Sequence, residues 1–247
     1  MRFISYAQEF EDLIIYVVMK DYVTNGNYID VGANDPVRFS VTKVFYDMGW
    51  NGINIEPLED KCELLMKERP RDVNLCLGVG EADGELKMAV DGMASSFATD
   101  VQSKMGLSEE RHITKKITTL QRIVDIWGKE ETHFLKIDVE GFEREVLLGT
   151  DFTRFRPWLI VMESTEPGTN ILCYQKWEDI LLQNHYSMAF QYGINRYYVA
   201  DERSFLKSGF EKIVPFIKNN LCYVIKMQCH SVNRFFDKNS ISQSSRY

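Results

Sequence analysis

The stretch Asn27-Tyr28-Ile29-Asp30-Val31-Gly32-Ala33-Asn34-Asp35-Pro36 is followed, about twenty residues on, by Ile53-Asn54-Ile55-Glu56-Pro57. Each is a short apolar run closed by a carboxylate, the first continues into a glycine turn, and a helix-length segment separates them. Such a pattern predicts parallel β-α-β units, in which the carboxyl ends of neighbouring strands open on one crevice. A glycine at a strand end permits a tight turn and a close backbone approach, and the helix that follows offers free N–H groups to polar ligand atoms. Glu56 stands where a carboxylate accepts both hydroxyls of a ribose. Taken singly, Asp30 and Glu56 also read as helix caps. Together, at this spacing, they read as a nucleoside site.

A dinucleotide site would show G-x-G-x-x-G, because a pyrophosphate lies against bare backbone. Here Gly32 stands alone, followed by Ala33, Asn34, Asp35 and Pro36. An acidic turn disfavours phosphate and suits a cationic ligand end. S-adenosylmethionine carries a sulfonium and an ammonium group and no phosphate, so the turn favours it over NAD.

Further blocks follow in order: Arg38-Phe39-Ser40-Val41-Thr42, Arg69-Pro70-Arg71-Asp72-Val73-Asn74-Leu75, Phe134-Leu135-Lys136-Ile137-Asp138-Val139-Glu140-Gly141-Phe142-Glu143-Arg144-Glu145, Arg156-Pro157-Trp158 and Asn195-Arg196-Tyr197-Tyr198-Val199-Ala200. With the two opening segments, they resemble the FkbM family of S-adenosylmethionine-dependent methyltransferases from about residue 5 to about residue 201. The resemblance implies an α/β, Rossmann-like class I methyltransferase fold. Its sheet would be seven-stranded and mostly parallel, with helices on both faces and a C-terminal antiparallel hairpin. Cofactor contacts are expected from Asp30, Gly32, Asn34, Glu56, Pro57, Gly78 and Asp138. Ser5, Gln8 and the acid pair Glu11-Asp12 also match, and the functional reading is a lid with Gln8 and Asp12 pointing inward; a capped amphipathic helix is the alternative. Ser95 and Ser96 match a serine pair that would touch acceptor or cofactor. Gln121 departs from the family, where relatives carry an acid.

Periodicity supplies the elements. Phe10, Leu13, Ile14, Val17 and Val18 recur at helical spacing and predict an amphipathic N-terminal helix. Strands are expected at 28–31, 52–55, 73–79, 133–137 and 158–162, with helices between them, and an aromatic hairpin at 186–190 and 196–199. Residues 84–97 read as a hairpin or irregular excursion, and 106–116 as a mobile charged loop. The domain reading is a helical cap over 1–25, the methyltransferase domain over 26–229 and a flexible tail over 230–247.

Composition fits one α/β core: 247 residues, 45% hydrophobic and 13% aromatic. No apolar run approaches the roughly 18 residues of a membrane span, and the start carries no signal peptide. A net charge of −7 reads against a nucleic-acid partner, because nothing in the sequence resembles a basic stripe that could neutralise many phosphates. Arg69 with Arg71, and Lys115 with Lys116, read as solvated faces. Five cysteines without a C-x-x-C spacing read as reduced thiols of a cytoplasmic enzyme. A homo-oligomer is left open.

Chemistry is expected where the strand ends face Asp30 and Glu56. Alternation puts Asp138 and Glu140 on one side of the chain if it stays extended, and Glu163 ends the next strand. Three carboxylates converging on one crevice are costly to bury as mere packing. Methyl transfer needs the acceptor oxygen, methyl and sulfur in line, and a base or a metal ion for the hydroxyl proton. Asp138 is the first candidate for a catalytic acid near the methyl group. Glu140 and Glu163 are candidates as base or, with Asp138, as Mg²⁺ ligands, since oxygen-only donors suit Mg²⁺ rather than zinc. His112 and His185 are alternative bases, while His133, His230 and the helical Glu143, Arg144 and Glu145 read as structural or surface groups. The implied acceptor is a sugar hydroxyl of a surface glycan or glycosylated metabolite. A small-molecule, polyketide-type hydroxyl and a non-catalytic binding domain are the alternatives.

Overall fold

Runs rich in valine, isoleucine and leucine form short strands here because they can be buried on both faces of a parallel sheet. In the computed structural model the residues described are 3–90, 95–105, 111–213, 215–216 and 224–226. The chain begins with β1 (Phe3–Ser5), α1 (Glu11–Met19), β2 (Asn27–Val31), α2 (Lys43–Asp47), β3 (Asn51–Ile55), α3 (Glu59–Glu68) and β4 (Val73–Leu75). An excursion follows, with β5 (Gly78–Val79), β6 (Gly84–Ala89), α4 (Thr99–Met105) and β7 (His112–Thr118). The second half comprises α5 (Leu120–Trp127), β8 (Phe134–Ile137), α6 (Glu143–Leu148), β9 (Leu159–Glu163), α7 (Glu178–Gln183), β10 (Tyr186–Tyr192), β11 (Asn195–Ala200), α8 (Lys207–Glu211) and β12 (Val224–Lys226).

Seven strands make the main sheet in the order β10-β11-β9-β8-β2-β3-β4. β2 pairs in parallel with β3 on one side and β8 on the other, and only β11 runs against its neighbours, β9 and β10. The chain therefore winds outward from β2 to β4 and returns on the far side of β2. That reversal separates the loops leaving β2 and β8 and opens the crevice between them. Alternate side chains fill two cores. Tyr28, Phe45, Phe134 and Val161 pack with α1 on one face, whereas Ile29, Leu135, Ile137 and Ile160 pack with α5 and α6 on the other.

Several expectations are corrected. α1 is apolar on all sides and wholly wedged into the first core, with Leu13, Ile14, Ile15, Val17, Val18 and Met19 buried, so it is not an amphipathic surface helix. The third predicted strand breaks in two: Leu75 ends β4, and β5 joins a separate sheet of order β5-β7-β6. Gly78 permits the switch, because a Cβ there would lie 2.4 Å from the Ile117 side chain. Residues 112–116, expected in a mobile loop, belong to β7 and pair with β6; residues 106–110 and the tail 230–247 lie outside the described residues.

Two supposedly solvated cations are buried. Arg69 has no exposed surface and donates to the Pro36 carbonyl, Ser40 Oγ (2.9 Å) and Tyr28 Oη (3.3 Å), beside Asp72 at 3.9 Å. It fastens the segment leaving the glycine turn onto the sheet. Lys115 is buried against Glu59, whereas Arg71 covers the Tyr46 ring from outside. The expectation that all thiols are reduced is overturned as well: Cys62 in α3 is disulfide-bonded to Cys76, just after β4. Cys173 is free and buried, and Cys222 and Cys229 lie outside the described residues.

Candidate active site

A cavity of about 660 Å³ opens at the carboxyl ends of β2, β3 and β8, within the range of small-molecule sites. Gly32 forms its floor in the left-handed conformation, φ 78°. A Cβ here would lie 1.9 Å from the Asp138 carbonyl oxygen, so only glycine lets the β2 and β8 loops pass at this distance. Asn34, also left-handed at φ 50°, donates its backbone N–H to Glu56 Oε2 at 2.8 Å, and Leu58 N–H donates to Oε1 at 2.9 Å. These two bonds fix the carboxylate at the cavity wall. Each oxygen keeps lone-pair capacity for a ligand hydroxyl. Burial pushes the Glu56 carboxyl above its ordinary range despite both bonds.

Of the expected cofactor contacts, Gly32, Asn34, Glu56, Pro57, Gly78 and Asp138 line this cavity. Asp30 lies beneath it, 1% exposed. It accepts from Thr42 Oγ1 at 2.8 Å and faces Lys136 Nζ at 3.3 Å, so its carboxylate braces the floor instead of facing a ligand.

Lys136 was not singled out from the sequence. Its Nζ donates to the Gly32 carbonyl at 2.7 Å and sits 3.5 Å from Asp138 Oδ2. One ammonium thus ties β2, the glycine turn and the β8 loop together, and the flanking Asp30 and Asp138 carboxylates outweigh its burial and raise its proton affinity. The sequence signal was present: a lysine in the buried run Phe134–Ile137, two residues before Asp138 and therefore on the same strand face.

Asp138, Glu140 and Glu163 converge, with one oxygen from each within 4.8 Å of the others. Extended alternation does not bring them together, because β8 ends at Ile137 and the chain turns through left-handed Glu140 (φ 54°) and Gly141 (φ 96°). Glu143 holds that turn, accepting from Gly141 N–H at 3.0 Å and Val139 N–H at 3.3 Å. Glu143 is 3% exposed, which corrects its reading as a surface group, and burial pushes its carboxyl up to about 7. Arg144 reaches Asp179 at 2.9 Å on the outside. Ser96, which does not line the cavity, donates to the Glu140 carbonyl at 2.7 Å; Ser95 does line it.

Among the described residues no hydrogen-bond donor reaches the buried Glu163 Oε2, and the carboxylate beside it, Asp138, is another acceptor. Two such oxygens share a proton or a cation. Burial, then Asp138 and Glu140, push Glu163 up to about 11; burial, then Asp138, pushes Glu140 up to about 8.

The last wall comes from the N-terminus. Gln8, Glu9 and Glu11 line the cavity with residues 193–195 of the β10–β11 hairpin. Asn195 pairs in register with Glu163 and donates to Glu11 Oε1 at 2.7 Å. Asp12 does not point inward: it accepts from Ser5 Oγ, Tyr6 N–H and Leu13 N–H at 2.7 Å each, closing the turn before α1. Neither His112 nor His185 lines the cavity, and His133 Nδ1 accepts from Asn27 N–H at 3.0 Å within the sheet. Glu11 and Asn195 were legible only as parts of matching blocks, since nothing local in either segment marks them as neighbours.

Among the described residues no helix is long and apolar enough to cross a membrane. No curated protein matches the sequence. Among solved structures, the O-methyltransferase from Bacillus cereus in complex with SAH matches at a TM-score of 0.39 and 12% identity, over 76% of this chain and 80% of its own. A likeness of that size carries no argument about chemistry. Comparison with protein families matches residues 30–207 to the methyltransferase FkbM domain. That match spans well over half of the chain, from the buried acid of β2 to the first residue of α8, and the chain belongs to the FkbM methyltransferase family.

Proposed function

We propose that the chain transfers the methyl group of S-adenosylmethionine to a hydroxyl oxygen, the acceptor being a sugar of a surface glycan or a glycosylated metabolite. One observation carries the reading: a single cavity has a ribose-competent carboxylate, Glu56, on one wall and the acid trio on another. The adenosine lies along Glu56, Pro57 and Gly78, and the methionine end over Gly32 toward Asp138. The wall of Gln8, Glu9, Glu11 and Asn195 offers the dense hydrogen bonding that a polyhydroxylated acceptor requires. A cytoplasmic enzyme of polysaccharide assembly fits the same reading.

In the reaction the acceptor oxygen attacks the methyl carbon, the carbon–sulfur bond breaks, and the sulfonium leaves as a neutral thioether. The hydroxyl proton passes to a carboxylate. Glu140, with its proton affinity near 8, suits a general base better than Glu163, which keeps its proton at neutral pH. Asp138 stands between the cofactor turn and both.

A second reading adds a divalent ion, and the donorless Oε2 of Glu163 favours it. Bound by Asp138, Glu140 and Glu163, Mg²⁺ would lower the pKa of the acceptor hydroxyl in place of a protein base.

The test is thermal stabilisation by S-adenosylmethionine, then methyl transfer to nucleotide sugars, lipid-linked glycans, finished polysaccharide and small hydroxylic metabolites, with and without chelator. Stabilisation with transfer only to the small hydroxylic metabolites moves the acceptor to the polyketide-type class. Stabilisation without any transfer leaves a binding domain, and no stabilisation removes the cofactor assignment.

A further inference from the structure

The Cys62–Cys76 disulfide joins two segments of the cofactor cavity wall. Cys62 lies in the first turn of α3 and donates its N–H to the Leu58 carbonyl at 2.9 Å. It lies one helical turn after Leu58, which with Glu56 and Pro57 lines the cavity. Cys76 immediately precedes Leu77 and Gly78, which line it too. Cys76 also sits where the chain leaves one sheet for another: Leu75 is the last residue of β4, at the edge of the main sheet, and Gly78 begins β5 in the second. The bond therefore braces the cavity wall where the chain passes between sheets.

We propose that Cys62 and Cys76 are a redox modification site that sets cofactor affinity. Closed, the bond holds Leu77 and Gly78 against the Glu56 loop; open, that wall must be ordered by the cofactor itself. The inference rests on the S-adenosylmethionine reading above. The two sulfurs are suited to unequal roles, since Cys76 is exposed and Cys62 fully buried. The Cys76 thiolate attacks a low-molecular-weight disulfide and releases one thiol, leaving a mixed disulfide. The Cys62 thiolate then attacks the Cys76 sulfur and releases the second thiol, so two electrons and two protons pass to the oxidant. In a reducing compartment a protein disulfide of this kind is typically transient and redox-sensing.

The test uses the full chain in two states, oxidised with glutathione disulfide or reduced with a phosphine, with the bridge assigned by peptide mass spectrometry. Calorimetry then reads the Kd for S-adenosylhomocysteine. The oxidised protein is expected to bind about tenfold more tightly, the scale of ordering one further backbone residue on binding. Cys76→Ser is expected to bind like the reduced protein and to ignore oxidant. Equal affinity in two states whose bridging is verified overturns the proposal, as does failure of oxidant to form the 62–76 bridge. Loss of the cooperative melt on reduction overturns it too, because the bond is then a general staple. If neither state binds, the cofactor reading fails and the clamp falls with it.

Discussion

Replacing Lys136 with methionine keeps the length of the side chain and removes its charge from beneath the cavity. The ammonium is 3.3 Å from Asp30 and 3.5 Å from Asp138. At an effective dielectric constant of about 20, each pair is worth about 5 kcal/mol of Coulomb energy before desolvation is subtracted. Without Lys136, Asp30 keeps its Thr42 bond but is a buried charge without a counter-charge, a situation that costs about 3–5 kcal/mol. Lys136→Met is therefore expected to lower unfolding stability in urea by about that amount with an unchanged denaturant slope. The double variant Asp30→Asn with Lys136→Met should regain about half of the loss, because the orphaned charge is gone. A single-variant loss under about 1 kcal/mol, or no recovery in the double variant, refutes the view that the ion pairs hold the floor.

Other outcomes follow from the same geometry. Glu56→Ala removes the partner of two backbone N–H groups and, on the function proposed above, of the cofactor ribose, and should raise the S-adenosylhomocysteine Kd about a hundredfold by calorimetry. Glu140→Gln should lower kcat by about 10²–10⁴-fold with little change in cofactor affinity; in the metal-free enzyme, wild-type kcat should rise with pH around a midpoint of about 8, as Glu140 loses its proton. Burial raises Glu11 from 4.5 to about 7. A raised carboxyl stabilises the fold fully below its unfolded value and loses that contribution as pH climbs through the folded one, here about 3 kcal/mol between pH 4.5 and 7. Glu11→Gln should remove one group's share of the fall in stability across that window, leaving the shares of Asp12, Glu143, Glu140 and Glu163, whose carboxyls are raised as well.

The sheet was legible because its rule is local. Val31, Ile55 and Ile137 each close an apolar run, and a run of four or five such residues between helical patterns forms a parallel strand almost regardless of context. Where the expectation failed, a distant partner decided. Residues 73–79 are one apolar run, but Gly78 packs against Ile117, nearly forty residues later, and splits it. Arg69 looks like a surface charge until Ser40, Tyr28 and Pro36 fold over it. Cys62 and Cys76, 14 residues apart, carry no spacing motif. They meet because α3 returns antiparallel to the strand it precedes.

The electrostatics of the cavity lead to a last prediction. Among the described residues six carboxylates line it, Glu9, Glu11, Glu56, Asp138, Glu140 and Glu163, against two cations, Arg38 and Lys136. Charges of one sign in a poorly solvated space cannot all ionise, so protons supply the counter-charge, as the raised values of Glu11, Glu140 and Glu163 express. S-adenosylmethionine brings a sulfonium and an ammonium; its demethylated product retains only the ammonium. Binding the substrate cofactor should therefore displace protons that the product leaves in place, and its affinity relative to the product should increase with pH between about 6 and 8 as displacement becomes easier. Calorimetry in buffers of differing ionisation enthalpy measures the protons released by each ligand. Equal release for both would show that the sulfonium does not lie near the acids, and would move the methyl group away from Asp138 and Glu140.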